Sequence, residues 1–344
     1  MRMKRLAVLL TTAVLAATAT GCSSTPDGAT SSSGGTGFPI TVTHALGTTT
    51  VTSAERIATV GWSNQEVPLA LGVVPVGMAK ATWGDDNGNG VMPWVEDKLK
   101  ALGAQTPAMY DETDGPDYEA VAATEPDVIL AAYSGLTEEQ YTKLSKIAPV
   151  VAYPSIPWGT TWEETIALNS KAMGREADGK KLIADLTGQV NTAVSAHPEL
   201  KSTKTLFAYL EPNDMSKIGY YTLNDPRANF LKTAGLPVPS AVESSSATSK
   251  DFYVQVSAEQ ADQFNDVGLI VTYGDGSTLA RLQADPLLGK IPAIKAGHVA
   301  VLQDSTPLAA ASNPSPLSIP WGAAKYFDLL GRVAKLSSPV STAR

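Results

Sequence analysis

The sequence predicts an α/β protein made of two doubly wound α/β lobes joined by one long helix, with a ligand cleft between the lobes. Three observations carry that prediction. Short apolar runs alternate with segments of helical spacing, the pattern of parallel sheet covered on both faces. The alternation starts afresh near residue 205. Between the two series, residues 176–196 place Leu182, Ile183, Leu186, Val190 and Val194 at helical spacing. At 1.5 Å per residue that run spans ~32 Å, enough to pass from one lobe to the other.

The chain opens with Arg2, Lys4 and Arg5 before an apolar run over 6–17. The run falls short of the ~20 apolar residues of a bilayer span, so 1–21 is expected to be an export signal and no part of the fold. The sole cysteine, Cys22, follows Ala19-Thr20-Gly21 in a stretch that resembles the bacterial lipobox, with Ala19 where Leu is usual. Lipidation of Cys22 would hold the chain on the extracytoplasmic face of the cell membrane. Residues 22–37 lack the apolar bulk to offset their ordering entropy and are expected to be a tether. The first lobe is expected over 38–174, the connecting helix over 175–197 and the second lobe over 198–344.

Within the first lobe, 40–44 and 48–52 flank Gly47 as a hairpin. Strands are predicted at 56–60, 73–78 and 127–132, and helices at 65–71, 94–102, 118–123, 137–147 and 162–173, the last ended by Gly174. In the second lobe, strands are predicted at 205–210, 269–273 and 299–303. Helices are predicted there at 226–234, 258–264, 277–284 and 317–334. One pair of segments is alike in detail: Tyr118-Glu119, then Asp127 and an apolar strand, against Ala258-Glu259, then Asp266 and an apolar strand.

Composition removes several functions. The net charge is −8, or −11 without the three basic residues of the leader, and no basic cluster appears, so a nucleic-acid partner is not expected. One cysteine makes no internal disulfide, and His44, His197 and His298 are scattered and read as structural. No nucleophile elbow or zinc-protease motif is present. The run 174–181 approaches a phosphate-binding loop, but Lys181 stands where Ser or Thr should hold magnesium. Asp85, Asn87, Asn89 and Glu96 match calcium-loop spacing. A strand before the loop and Pro93 within it favour a polar surface turn, with a weak calcium site left open.

The aromatics point somewhere. Trp62, Trp83, Trp94, Tyr133 and Trp158 in the first lobe, and Tyr220, Tyr221 and Tyr273 in the second, are read in or beside loops that follow strands. Such loops gather at the carboxyl ends of parallel strands, where ligands bind. Arg227 lies close behind Tyr220 and Tyr221. Together they predict a cleft walled by flat amphipathic rings.

From Arg56 to Ala334 the chain resembles the iron-siderophore substrate-binding lipoproteins of ABC importers. The resemblance rests on Arg56-Ile-Ala-Thr-Val-Gly-Trp-Ser-Asn-Gln-Glu, Ala70-Leu-Gly-Val-Val-Pro-Val-Gly, Glu125-Pro-Asp-Val-Ile-Leu and Ala172-Met-Gly-Arg-Glu. It implies a monomeric binding protein, not an enzyme, that delivers a ferric siderophore to a permease. It also implies permease docking through one carboxylate on each lobe, here Glu119 and Glu259. No resident metal or cofactor is expected, because a siderophore already saturates its iron. Trp62, Tyr133, Trp158, Tyr220, Tyr221 and Tyr273 are expected to touch the organic shell. Arg227 is expected to bond an iron-bound oxygen, with Lys80 and Lys217 as weaker basic candidates. So few cations favour a hydroxamate over a trianionic catecholate. Haem or another large metal chelate remains an alternative, with Tyr133 or Tyr273 as axial ligand. A lipid-anchored envelope hydrolase is the reading from another class.

Overall fold

The computed structural model describes residues 37–211 and 214–336. The expected export signal, Cys22 and residues 22–36 of the expected tether lie outside the described residues.

A hairpin of β1 (Ile40–His44) and β2 (Gly47–Val51) leads the fold, with Ile40 opposite Val51. Five parallel strands follow: β3 (Ile57–Thr59), β4 (Gly77–Ala79), β5 (Ala108–Tyr110), β6 (Val128–Leu130) and β7 (Val150–Val151), in the order β5-β4-β3-β6-β7. Strands β3 and β6 are buried along their whole length, which is why they read as unbroken apolar runs. Helices α1 (Glu66–Ala70), α2 (Pro93–Ala101), α3 (Tyr118–Ala123), α4 (Glu138–Leu144) and α5 (Trp162–Ala172) alternate with or follow them. Their starts are written locally. Thr137 and Gln140 close a capping box on α4, Thr161 and Glu164 close another on α5, and the Asp117 carboxylate accepts from Ala120 N at α3.

The connector α6 (Glu176–Ser195) buries Leu186, Val190 and Val194. The second sheet contains β8 (Thr205–Tyr209), β9 (Lys217–Tyr221), β10 (Tyr253–Ser257), β11 (Leu269–Gly274) and β12 (Val299–Gln303), in the order β10-β9-β8-β11-β12. Around it lie α7 (Pro226–Thr233), α8 (Ser240–Thr248), a 3-10 helix at Ala258–Phe264, α9 (Thr278–Ala284), α10 (Pro292–Ala296), α11 (Pro307–Ala311) and α12 (Ser318–Ala334). One apolar cluster runs from Ile57, Val128 and Leu130 of the first sheet, through α5, α6 and α12, to Phe207, Leu269 and Val271 of the second.

The second sheet departs from expectation. Strand β9 pairs antiparallel with both β8 and β10, neither β9 nor β10 was anticipated, and only β8, β11 and β12 run parallel. In consequence Tyr220 and Tyr221 are successive residues of a strand rather than loop residues, and a strand sends neighbours to opposite faces. The paired segments hold. Asp127 Oδ2 accepts from Ser53 Oγ, Glu55 N and Arg56 N ahead of β3, and Asp266 Oδ2 accepts from Lys204 Nζ, Ser240 N and Ser240 Oγ ahead of β8 and at the start of α8. Each lobe thus pins its first strand through the same aspartate.

Candidate functional site: an aromatic cleft between the lobes

A cavity of about 1020 Å³ opens between the two sheets. The first lobe supplies residues that follow its strands: Trp62 and Ser63 after β3, Lys80 and Trp83 after β4, Glu112 after β5, Tyr133 after β6 and Trp158 after β7. The second lobe supplies Tyr209, Tyr221, Asp225, Arg227, Phe252, Tyr273 and, beyond β11 and β12, Asp275, Arg281 and Asp304.

Backbone geometry is tight at this wall. Ser63 and Trp158 both sit at φ 58°, in the left-handed region that non-glycine residues enter at a cost of about 1–3 kcal/mol. Gly61, at φ 78°, passes so near β6 that a Cβ there would stand 2.7 Å from the Tyr133 carbonyl oxygen. Asn64 ties the two loops together, its Nδ2 donating to the carbonyls of Val60 and Tyr133 and its Oδ1 accepting from Tyr133 N. Gly135 leaves the space that the Trp158 indole fills.

The rings meet edge to face, the arrangement their quadrupoles favour. Tyr133 and Trp158 have centroids 5.5 Å apart, and Trp83 meets Tyr273 across the lobes at 5.4 Å. Arg227 lies over the Tyr221 ring, 3.8 Å from its centroid. Its Nε and Nη2 are gripped by Asp225 at 2.8 and 2.7 Å, and its Nη1 points to the Tyr273 hydroxyl at 3.5 Å. Asp225 is 1% exposed and also caps α7 by accepting from Arg227 N. The arginine is therefore oriented and largely neutralised by a partner two residues away. Arg281 is paired with Asp275 more loosely, through Nη2 at 3.3 Å.

Two carboxyls of the wall stand apart. Burial pushes Glu66 up to about 7, against hydrogen bonds that favour its charge, and it joins the lobes. Trp94 Nε1 donates to its Oε1 at 2.7 Å, while Ser315 Oγ and Leu317 N, from the other end of the chain, donate to its Oε2. Burial also pushes Glu112 up to about 7, opposed by one hydrogen bond from Gly61 N to its Oε2 at 2.8 Å.

Of the eight aromatics and one arginine singled out in the sequence, seven border this cavity: Trp62, Trp83, Tyr133, Trp158, Tyr221, Arg227 and Tyr273. Two do not. Trp94 is buried in α2, bonded to Glu66 and packed on Trp321, because it starts a helix whose inner face covers the sheet. Tyr220 points to the far face of β9, where its ring meets Phe264 and its hydroxyl Ser245. Of the lysines, Lys80 borders the cavity, whereas Lys217 lies outside its lining and pairs with Asp214 at 3.7 Å. Sequence reasoning missed Glu66, Glu112, Asp225, Phe252 and Arg281. A signal existed for Asp225, since Asp-Pro-Arg at a helix start is a capping signature. None existed for Glu112, one of four acids between residues 111 and 117.

Glu119 and Glu259 are exposed, and among the described residues no partner engages either carboxylate. The histidines do structural work: His44 bonds Thr49, His197 bonds Asp328, and His298 lies against the carbonyls of Gly268 and Leu336. In the 85–96 loop, Asn87 and Asn89 donate side-chain amides to Glu96, and Gly90 N donates to Asp85. Among the described residues no cluster of three or more His, Cys, Asp or Glu is placed to hold a metal ion. No described helix is long and apolar enough to cross a membrane.

Two lobes, a single connecting helix and a cleft between them define a solute-binding architecture, and residues 57–306 match the periplasmic binding protein family, to which the chain belongs. The chain is similar to PiaA of Streptococcus pneumoniae, solved in complex with ferrichrome, at 46% identity over 87% of this chain and 99% of that one, with a TM-score of 0.83. A periplasmic solute binding protein of Mycobacterium smegmatis is 27% identical over 86% of this chain and 98% of its own, with a TM-score of 0.69. Among curated proteins, the probable siderophore-binding lipoprotein YfiY of Bacillus subtilis is 32% identical over 156 residues. That match spans 44% of this chain and 43% of the relative.

Proposed function

We propose that the chain captures a ferric siderophore in the inter-lobe cleft and delivers it to an ABC permease for iron uptake. The observation that carries this reading is the wall itself: a cavity of about 1020 Å³ lined by rings from both lobes, with no metal-ligating cluster among the described residues. Such a wall grips a chelate by its organic coat and leaves the iron to the chelator. The 46% identical relative solved with ferrichrome supports the same class of ligand.

The hydroxamate class fits best. Arg227 and Arg281 are each paired with an aspartate, and Asp304, Glu66 and Glu112 also border the cavity, so among the described residues Lys80 is the one cation of its lining without an ion-pair partner. A trianionic catecholate would meet no surplus of positive charge, whereas a neutral tris-hydroxamate needs none. Trp62, Tyr133, Trp158, Tyr221 and Tyr273 take the shell, and Arg227 directs Nη1 to a coordinated oxygen. Against haem, the Tyr133 phenol is held above its ordinary range by burial, and its oxygen accepts from Asn313 Nδ2, so it is poorly disposed to ligate as phenolate. Cys22 carries the lipid anchor, Glu119 and Glu259 meet the permease, and the chain acts as a monomer.

Titration of the tether-free protein with ferrichrome should quench tryptophan fluorescence and raise Tm, as a ligand of the folded state must. Ferric enterobactin, a tris-catecholate, should do neither at equal concentration. Stronger quenching by the catecholate would overturn the ligand class, and no response to any ferric chelate would overturn the function.

A further inference from the structure

Three acceptor oxygens that are buried without a hydrogen-bond partner belong to side chains bordering the cleft: Glu112 Oε1, Gln65 Oε1 and Asn313 Oδ1. A buried acceptor left unpaired costs ~1–3 kcal/mol, so three at one wall call for donors from outside the protein. The coordinated oxygens of a ferric hydroxamate are themselves acceptors and cannot supply them. Donors on such a ligand lie on its organic frame, and amide N–H groups are the donors a peptide frame supplies. We propose that Glu112, flanked by Gln65 and Asn313, is a specificity-determining residue that accepts a hydrogen bond from an amide N–H of the ligand, so that the cleft selects hydroxamate chelates built on a peptide frame.

This inference rests on the ferric-siderophore reading and deepens it. Glu112 is the pivot because Gly61 N already occupies its Oε2 at 2.8 Å, which leaves Oε1 to accept from a ligand when the carboxyl is ionised. Among the described residues no ion pair balances it, and burial has pushed its carboxyl up to about 7. Division of labour across the cleft follows. Arg227 in the second lobe donates toward the iron-bound oxygens, while the first-lobe wall accepts from the frame.

Glu112→Gln separates this role from a structural one. Glutamine keeps one acceptor oxygen for Gly61 N but cannot also serve a ligand N–H. For ferrichrome, a cyclic peptide hydroxamate, Kd from fluorescence quenching should rise roughly ten- to hundredfold, the range of one charge-assisted hydrogen bond. The Tm of the ligand-free variant should not fall below the wild-type value, since glutamine avoids ionising a buried acid. Ferric tris(N-methylacetohydroxamate), which has the same coordination and no N–H, should bind variant and wild type within threefold of each other. Unchanged or tighter ferrichrome binding by Glu112→Gln, or equal weakening of both chelates, would overturn the inference while leaving the proposed function standing. Failure of the wild type to bind either chelate would overturn the hydroxamate reading of the ligand, and the inference with it.

Discussion

At the scale of single residues, the cleft is built from groups held away from their solution behaviour. Glu66 shows this in its titration. Burial raises its carboxyl from an ordinary 4.5 to about 7, so the folded state favours the protonated form. Its contribution is fully present below pH 4.5 and is lost as pH rises through 7, because the unfolded chain ionises freely where the folded one resists. The shift corresponds to about 3 kcal/mol. Glu66→Gln cannot ionise. Urea unfolding should therefore show wild type losing stability relative to Glu66→Gln between pH 5 and pH 8, and a constant difference across that range would refute the assignment. Arg227 poses the opposite problem, a charge that must stay. Arg227→Gln should weaken ferrichrome binding at least about tenfold, as loss of a charge-assisted bond requires. It should also destabilise the fold, because Asp225 is left buried and unpaired. Adding Asp225→Asn should recover Tm without recovering binding. Recovery of both would mean that Arg227 serves the fold alone.

At the scale of elements, α6 decides how closely the lobes are coupled, and its glycines are not alike. A Cβ at Gly179 would collide with the Ser170 side chain of α5, whereas one at Gly188 would meet nothing within 4 Å. Gly188→Ala should stabilise the protein by about 0.5–1 kcal/mol through helix propensity. Gly179→Ala gains the same propensity but must push α5 and α6 apart, and overpacking of this kind costs about 1–3 kcal/mol. Thermal melts that moved both variants in one direction would contradict this packing. The same helix shows how much the sequence carries. The apolar stripe from Leu182 to Val194 predicts α6 almost residue for residue, since helical spacing and burial on one face are a single physical fact. Strands β9 and β10 escaped because Lys-Ile-Gly-Tyr-Tyr is broken by a glycine and Tyr-Val-Gln-Val-Ser lies at a sheet edge, only partly buried. With β9 unseen, nothing local could tell that Tyr221 faces the cleft and Tyr220 the outer core. Trp94 failed for a related reason: a tryptophan after a loop reads the same whether it turns to ligand or to core. Glu112 and Glu66 were illegible because only tertiary contacts give them meaning.

For the whole molecule, the two lobes repeat one plan, and the plan leaves matched features at each end of it. The strand ends of both sheets converge on the cleft. Each lobe also presents a short helix with an exposed glutamate near its start, Glu119 in α3 and Glu259 in the 3-10 helix, followed by the aspartate that pins the first strand. Fold stability does not require these two carboxylates, since neither is buried nor engaged by any partner among the described residues. Their matched positions are understandable if a single partner grips both lobes, one cationic site to each. A grip of that kind is sensitive to lobe spacing, and one apolar core runs from lobe to lobe through α5, α6 and α12. Charge reversal tests it with little risk to folding. Glu119→Arg with Glu259→Arg should leave Tm and ferrichrome Kd at wild-type values while reducing ferric-hydroxamate uptake by cells at least about tenfold, because like charge facing like costs several kcal/mol at an interface. Each single variant should fall between. Uptake by the double variant at the wild-type rate would show that the paired glutamates reflect only the ancestry of the two lobes.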